Sequence, residues 1–281
     1  MKNFDKKIVV ITGAGSGMGR AYALAFAKQG ASLALSDYDQ QGLDETLQLV
    51  DQHSNRQVTH GTFDVSNRAS FEQFAQQVKE ELGNAHIVIN NAGIEGSANP
   101  VWTTTEDSLR KAMEVNYYGV VYGTQAFLSQ LNANKEAAIV NVSSIFGLIG
   151  TPNHADYCAS KFAVRGFTEA LMAELDSSHI QVHLVHPGGI ATNIARQQHS
   201  QKFAEHYFQT SADDIARHVL KQIIKNQPRI VYGQSSGKTA LGAKFLPLKV
   251  LKSIIWHEMK KVIDLTDYHQ LSTSPKTKVK L

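Results

Sequence analysis

The stretch Lys7–Gly19, KIVVITGAGSGMG, runs a short β-branched apolar segment straight into four glycines spaced two apart, and an alanine-rich helical pattern follows. Glycines at such a junction permit a tight turn. They also let backbone N–H groups and a helix N-terminus approach a phosphate without Cβ obstruction. The spacing GxGxxG is not met, because Met18 stands where its third glycine would fall when counted from Gly13. The spacing TGxxxGxG is met at Thr12, Gly13, Gly17 and Gly19. A glycine-rich turn is weak evidence alone and becomes strong only at the first strand of the right fold.

Working outward, the same alternation recurs. Strand-like runs at SLALS, QVTHGTF, HIVIN, AAIVNVS, IQVHLVH and RIVY alternate with helical patterns over 17–29, 40–52, 69–82, 106–131, 155–175 and 212–226. Several strands are apolar on both faces, which predicts a parallel sheet covered by helices on both sides. The expected fold is a doubly wound α/β domain with a seven-stranded sheet over residues 1–235, followed by an extension over 236–281. Ligands bind such sheets beyond the carboxyl ends of the strands. The residues at those ends are therefore the candidates.

Asp37 ends the second strand, where a carboxylate can accept from a ribose diol and repel a 2′-phosphate. With no arginine at Ser36 or Tyr38, NAD(H) is expected over NADP(H); capping of the next helix is the simpler alternative. Asp64 follows the third strand, and Asn90–Gly93 (NNAG) closes the fourth. Ser143 and Ser144 close the fifth. Tyr157 and Lys161, four apart on the next helix, share a face. A tyrosine near its ordinary pKa of about 10 is a poor base at neutral pH, and a neighbouring ammonium would favour the phenolate. Asn116 lies inside a helical pattern, where asparagine needs a task; holding a proton-relay water is the expectation.

These motifs resemble, in order, those of the short-chain dehydrogenase/reductase family: TGAGSGMG, NNAG, Asn116, Ser144, YCASK and HPGGIAT over about residues 7–193. The resemblance implies a Rossmann-like domain and a catalytic set of Asn116, Ser144, Tyr157 and Lys161. It further implies an NAD(H) site formed by Thr12, Gly13, Ser16, Gly17, Met18, Gly19, Asp37, Asp64, Val65, Asn91, Ala92, Gly93, Tyr157, Lys161, Pro187, Gly188, Ile190 and Thr192. His186 departs from the asparagine common before Pro-Gly. The implied reaction interconverts a secondary alcohol and a ketone. A β-ketoacyl thioester reductase and a non-catalytic nucleotide sensor or scaffold are the alternatives. A homodimer or homotetramer is the family's common assembly.

Composition sets the remaining bounds. The 281 residues are 42% hydrophobic and 19% charged with a net charge of +3, which gives no reason to expect nucleic acid as a partner. Cys158 is the sole cysteine, so an intrachain disulfide is impossible and a cytoplasmic location is expected. GQSSGKT at 233–239 falls one residue short of a P-loop. No histidine cluster has metal-ligand spacing. Residues 189–210 fit no period, which suits either a lid or a surface connection. The tail STSPKTKVKL reads as frayed. The segment 241–262 is amphipathic and basic: it either packs on the domain, contacts another subunit or lies on a membrane surface, with any helix starting near Pro247. The substrate is expected to be largely apolar, from Ile145, Phe146, Leu148 and Ile149 beside Ser144.

Overall fold

The computed structural model describes residues 1–192, 194 and 200–268. Its strands β1 (Ile8–Thr12), β2 (Ser32–Asp37), β3 (Val58–Thr62), β4 (Ile87–Asn90), β5 (Ala137–Val142), β6 (Ile180–Pro187) and β9 (Arg229–Tyr232) form one parallel sheet in the order β3-β2-β1-β4-β5-β6-β9. The order in which strands are added reverses between β1 and β4, the switch point at whose carboxyl ends such sheets bind ligands. The inner strands β1, β4 and β5 are buried on both faces, as their continuous apolar runs require, whereas the edge strands β3 and β9 are partly exposed.

Helices cover each face. On one side α1 (Gly17–Ala27), α2 (Gln40–Asp51) and α8 (Ala212–Ile224) pack through Ala23, Phe26, Leu43, Val50, Ile215 and Val219. On the other, α3 (Arg68–Glu81), α5 (Gly119–Asn132) and α6 (Ala155–Glu174) pack through Phe71, Phe74, Val78, Phe127, Leu131 and Leu171. Phe74 meets Phe127 edge-on, with ring centroids 6.4 Å apart.

Two sequence expectations need correction. The helix expected over 106–131 is divided: α4 (Glu106–Met113) and α5 are joined by a π-helical turn, Glu114–Tyr118, whose one wide turn holds Asn116. Such insertions cost regular hydrogen bonding and are often found at functional sites. Residues 189–210 are partly regular, with β7 (Ile190–Ala191) paired to β8 (Thr210–Ser211) and α7 (Gln201–Tyr207) between them. Asp64 follows β3 by two residues, at the carboxyl end of the strand as expected.

The extension is helical, with α9 (Ser236–Phe245) and α10 (Leu248–Met259) separated at Pro247, which cannot continue a helix from before it. GQSSGKT forms the turn into α9 and its first four residues, with Ser235 at the N-cap at φ +60°. The reading of the last ten residues as frayed lies outside the described residues.

Candidate active site

The glycine-rich loop is held from three directions. Thr12 Oγ1 accepts the backbone N–H groups of Asn91 and Ala92, both at 3.0 Å, and Asn91 Nδ2 donates to the Thr12 carbonyl at 3.0 Å. NNAG thus clamps β4 to β1. Gly13 has φ +67° and packs so close to Ala92 that a Cβ would sit 2.8 Å from its Cα. At the second wall, Asp37 Oδ2 accepts the Gly15 N–H at 2.7 Å and Oδ1 accepts that of Asp39 at 3.0 Å. The carboxylate is buried and pins the loop. Thr192 closes the third side, its Cβ and Cγ2 lying 3.1 Å from where a Gly17 Cβ would stand.

Arg20, which the sequence reading passed over, fastens this wall. Its guanidinium donates to the Gly15 carbonyl at 2.5 Å and to Thr46 Oγ1 at 2.9 Å, and pairs with Glu45 at 2.8 Å. Its position one residue after Gly19 was the available signal. Ser16 caps α1 without a side-chain hydrogen bond, and no acidic residue occupies the first turn. The positive end of the helix dipole is thus left for an anion.

Ser66 N–H donates to exposed Asp64 at 2.9 Å, while Val65 is buried against Gly119 and its side chain belongs to the core. Pro187 ends β6 and Gly188 follows it, with the Gly188 N–H bound to the Tyr232 carbonyl at 2.7 Å; Ile190 is buried in the core. Met18 is partly buried against the core.

The second cluster lies past β5. Ser144 caps a short 3₁₀ turn, Ile145–Gly147, its hydroxyl accepting from Phe146 N–H at 3.1 Å. Ser143 points the other way and donates to the Lys161 carbonyl at 2.8 Å. Lys161 Nζ donates to the Val142 carbonyl at 3.1 Å and lies 5.7 Å from the Tyr157 ring centroid. Burial lowers the ammonium's pKa to about 8.

Burial pushes the Tyr157 phenol up to about 12, offset in part by a hydrogen bond with Ser144. This is opposite to the lowering by Lys161 expected from the sequence. Desolvation of the phenolate outweighs every nearby favourable group, and Glu95, another residue missed by the sequence reading, adds to the rise.

Asn116 Oδ1 accepts from Ile94 N–H at 2.8 Å, and its Nδ2 donates to the Ile94 carbonyl and to Ser160 Oγ, both at 3.0 Å. The side chain thus fixes the chain after NNAG onto α6. A Cβ on Gly93 would stand 3.1 Å from Asn116 Oδ1 and 3.3 Å from Lys161 Nζ, so Gly93 is where these two groups and the β4 end converge. His186 is buried behind Ser144, with Nδ1 on the Ser144 carbonyl at 2.7 Å.

Over Tyr157 lies an apolar cover. Phe146, Phe203 of α7, Met259 of α10 and Val262 are buried in one cluster with Cys158, and Tyr157, Tyr207 and Ile255 pack on it. The extension is tied down at its end, where Tyr268 donates to Asn153 at 2.9 Å and its ring meets Trp102 and Trp256 at 5.0 and 5.3 Å.

The family model for short chain dehydrogenases matches residues 7–202. SadH of Mycobacterium tuberculosis, a protein named as an oxidoreductase, is 42% identical over 245 residues, covering 83% of this chain and 88% of that protein. Epidermal retinol dehydrogenase 2 of Mus musculus is 43% identical over 173 residues, 62% of this chain and 56% of that protein. A short-chain dehydrogenase/reductase of Burkholderia phymatum, solved in complex with NAD, superposes with a TM-score of 0.77 at 30% identity over 82% of this chain and 90% of that one. Loop, strand ends and comparisons agree: the chain belongs to the short-chain dehydrogenase/reductase family of oxidoreductases.

Proposed function

We infer that the protein uses NAD(H) to interconvert an apolar secondary alcohol and its ketone. The observation that carries this reading is the convergence of Tyr157, hydrogen-bonded to Ser144, with Lys161, whose Nζ lies 5.7 Å from the Tyr157 ring and beside Gly93 at the end of β4. The residues present fit a dinucleotide: an uncapped N-terminus at α1 for the pyrophosphate, Asp37 for a ribose diol, and Gly93 and Thr192 beside the switch point. Bound NAD would supply the hydride acceptor and a positive charge.

In alcohol oxidation, the Tyr157 oxygen takes the hydroxyl proton while Ser144 donates to the oxygen that becomes the carbonyl. Lys161, protonated below about pH 8 and 5.7 Å from the Tyr157 ring, does not offset the burial of the phenol by itself, so the proposed phenolate depends on the added positive charge of bound NAD+. Asn116 holds the Gly93–Ile94 backbone on α6, and its π-helical turn is the proposed seat of a relay water. NAD(H) is preferred because Asp37 faces the loop and Arg20 is committed to Glu45, Thr46 and Gly15. The domain 1–235 carries the chemistry, and the extension covers Tyr157 through Ile255, Met259 and Val262.

A primary alcohol and aldehyde form the second reading, favoured by the likeness to a retinol dehydrogenase, whose named substrate is a long apolar primary alcohol. We further infer a cytoplasmic homo-oligomer, supported by exposed Leu109, Tyr118 and Phe162 on α4, the π turn and α6.

The test follows nicotinamide absorbance with a panel of apolar secondary and primary alcohols, ketones and aldehydes, and with both cofactors. Turnover with NAD(H) that is lost in Tyr157→Phe while NAD(H) binding persists supports the reading. Unchanged turnover in that variant overturns it, NADP(H) preference overturns the Asp37 argument, and thioester reduction with NADPH moves the assignment to that class. A biological effect that survives Tyr157→Phe would favour a sensor.

A further inference from the structure

The corner between α9 and α10 exposes what a soluble surface normally hides. Leu248 is 77% exposed, Phe245 66% and Leu241 62%, and Leu246 is exposed beside them, all within eight residues. Leu241 and Phe245 are four apart on α9 and share a face. Pro247 turns the chain so that Leu246 and Leu248 flank the bend. Single exposed leucines need no explanation, but a group of large apolar side chains at one bend does.

The charge around this corner has one sign. Lys238, Lys244, Lys249 and Lys252 are the only ionised side chains between residues 236 and 256, with no acidic residue among them, and together they exceed the chain's net charge of +3. Lys244 Nζ lies 5.2 Å from the Phe245 ring centroid, so cation and apolar group occupy the same part of the surface. The inward stripe of α10, Ile255 and Met259, is already used against the Phe146 and Tyr157 cluster. The helix is thus apolar inside against the pocket, and apolar with lysines outside.

We propose that the α9–α10 corner docks the protein on an anionic lipid bilayer, with Leu241, Phe245, Leu246 and Leu248 entering the headgroup boundary and Lys244, Lys249 and Lys252 meeting lipid phosphates. Apolar insertion combined with basic flanks is the physical signature of interfacial binding. A second copy of the same face fits less well, because a two-fold contact would set these lysines against their own copies. The consequence is that the cover of the pocket lies on the lipid, where an apolar alcohol is dissolved. The docking itself does not depend on the reaction assignment, since binding is read without turnover.

The full chain is mixed with sedimentable vesicles of phosphatidylcholine alone, or of phosphatidylcholine with phosphatidylglycerol, and the bound fraction is measured at low and high salt. Binding to the anionic vesicles that falls by about tenfold or more in Lys244→Glu/Lys249→Glu and in Phe245→Asp/Leu248→Asp, with NADH binding by each variant unchanged, is the expected result. Loss in the charge variant alone would mean adsorption without insertion and overturn the insertion half of the proposal. Equal binding by wild type and both variants, or none by wild type, overturns it outright. So does sedimentation velocity that finds wild type assembled through this face and Phe245→Asp/Leu248→Asp dissociated.

Discussion

Ser143 and Lys161 are bound to each other through the lysine's carbonyl at 2.8 Å, while the lysine's own Nζ reaches back to the Val142 carbonyl at 3.1 Å. Strand β5 and helix α6 are therefore clasped twice at the point where chemistry is proposed. Two adjacent serines have opposite tasks there, and they are separable. Ser143→Ala removes a buried hydrogen bond and leaves the Lys161 carbonyl one partner short, a loss of about 1–3 kcal/mol in stability with turnover reduced only modestly. Ser144→Ala strands the buried Phe146 N–H and should cost about 1–2 kcal/mol in stability, but unlike Ser143→Ala it should also lower kcat by about two to three orders of magnitude. Urea titration beside steady-state kinetics distinguishes them. Equal kinetic losses in the two would refute the division.

The raised phenol of Tyr157 gives a pH prediction. With burial holding it near 12, the cofactor-free protein should carry almost no Tyr157 phenolate at neutral pH. Lys161, 5.7 Å from the ring, does not bring it down. Added NAD+ should lower the midpoint, because a second positive charge favours the phenolate. Alcohol oxidation should accordingly rise with pH and ketone reduction fall. The measurement is the tyrosinate absorbance difference between wild type and Tyr157→Phe, with and without NAD+. A midpoint that ignores NAD+ would assign the tuning to another group.

Much of this was legible beforehand because period and position carry it. Short apolar runs alternating with helical periods located all seven sheet strands, and residues at their carboxyl ends, such as Asp37 and Ser144, were marked by the fold's own geometry. The π turn at Asn116 was hidden, since one extra residue in a turn leaves the apolar pattern of a long helix almost intact. The direction of the Tyr157 shift was misread for a related reason. Sequence places Lys161 one turn away but does not reveal how much water is excluded, and desolvation depends on Phe146 and the distant extension. Arg20 went unnoticed because its partners Gly15, Glu45 and Thr46 come together only when α2 folds onto α1.

Asp37 has a structural duty that complicates any cofactor swap. Asp37→Ala strands the buried Gly15 N–H, so it should lower stability by about 1–3 kcal/mol as well as weaken NAD(H). Asp37→Asn retains an acceptor and should keep most of the stability while losing the repulsion of a 2′-phosphate. Its ratio of kcat/KM for NADP(H) over NAD(H) should rise by about tenfold or more. A ratio unchanged in Asp37→Asn would remove Asp37 from cofactor discrimination.

Asp156 joins the pocket loop to the catalytic helix. Its buried carboxylate accepts from Ser97 N–H at 2.7 Å and Ser108 Oγ at 2.8 Å through one oxygen, and from Tyr157 N–H at 2.8 Å through the other. Asp156→Ala should free the loop at 94–105, raise KM for a bulky apolar substrate more than it lowers kcat, and quicken limited proteolysis within that loop. Proteolysis unchanged from wild type would mean the loop is held from elsewhere.

His186 makes the protein acid-sensitive. Burial holds its imidazole down to about 4, and its Nδ1 is engaged with the Ser144 carbonyl. Against an unfolded value of about 6.5, the unfolded chain binds the proton first as pH falls, so stability rises with pH across this window. The contribution is complete above about pH 6.5 and is lost progressively down to about pH 4; at pH 5 the loss is about 2 kcal/mol. Burial lowers His154 and His183 as well, which steepens the same fall. His186→Asn cannot take up the proton and should flatten the decline between pH 6.5 and 5 by about that amount, even if it is less stable than wild type at pH 7.5. Urea midpoints at pH 7.5, 6 and 5 decide it: parallel curves for variant and wild type would show that another group carries the acid response.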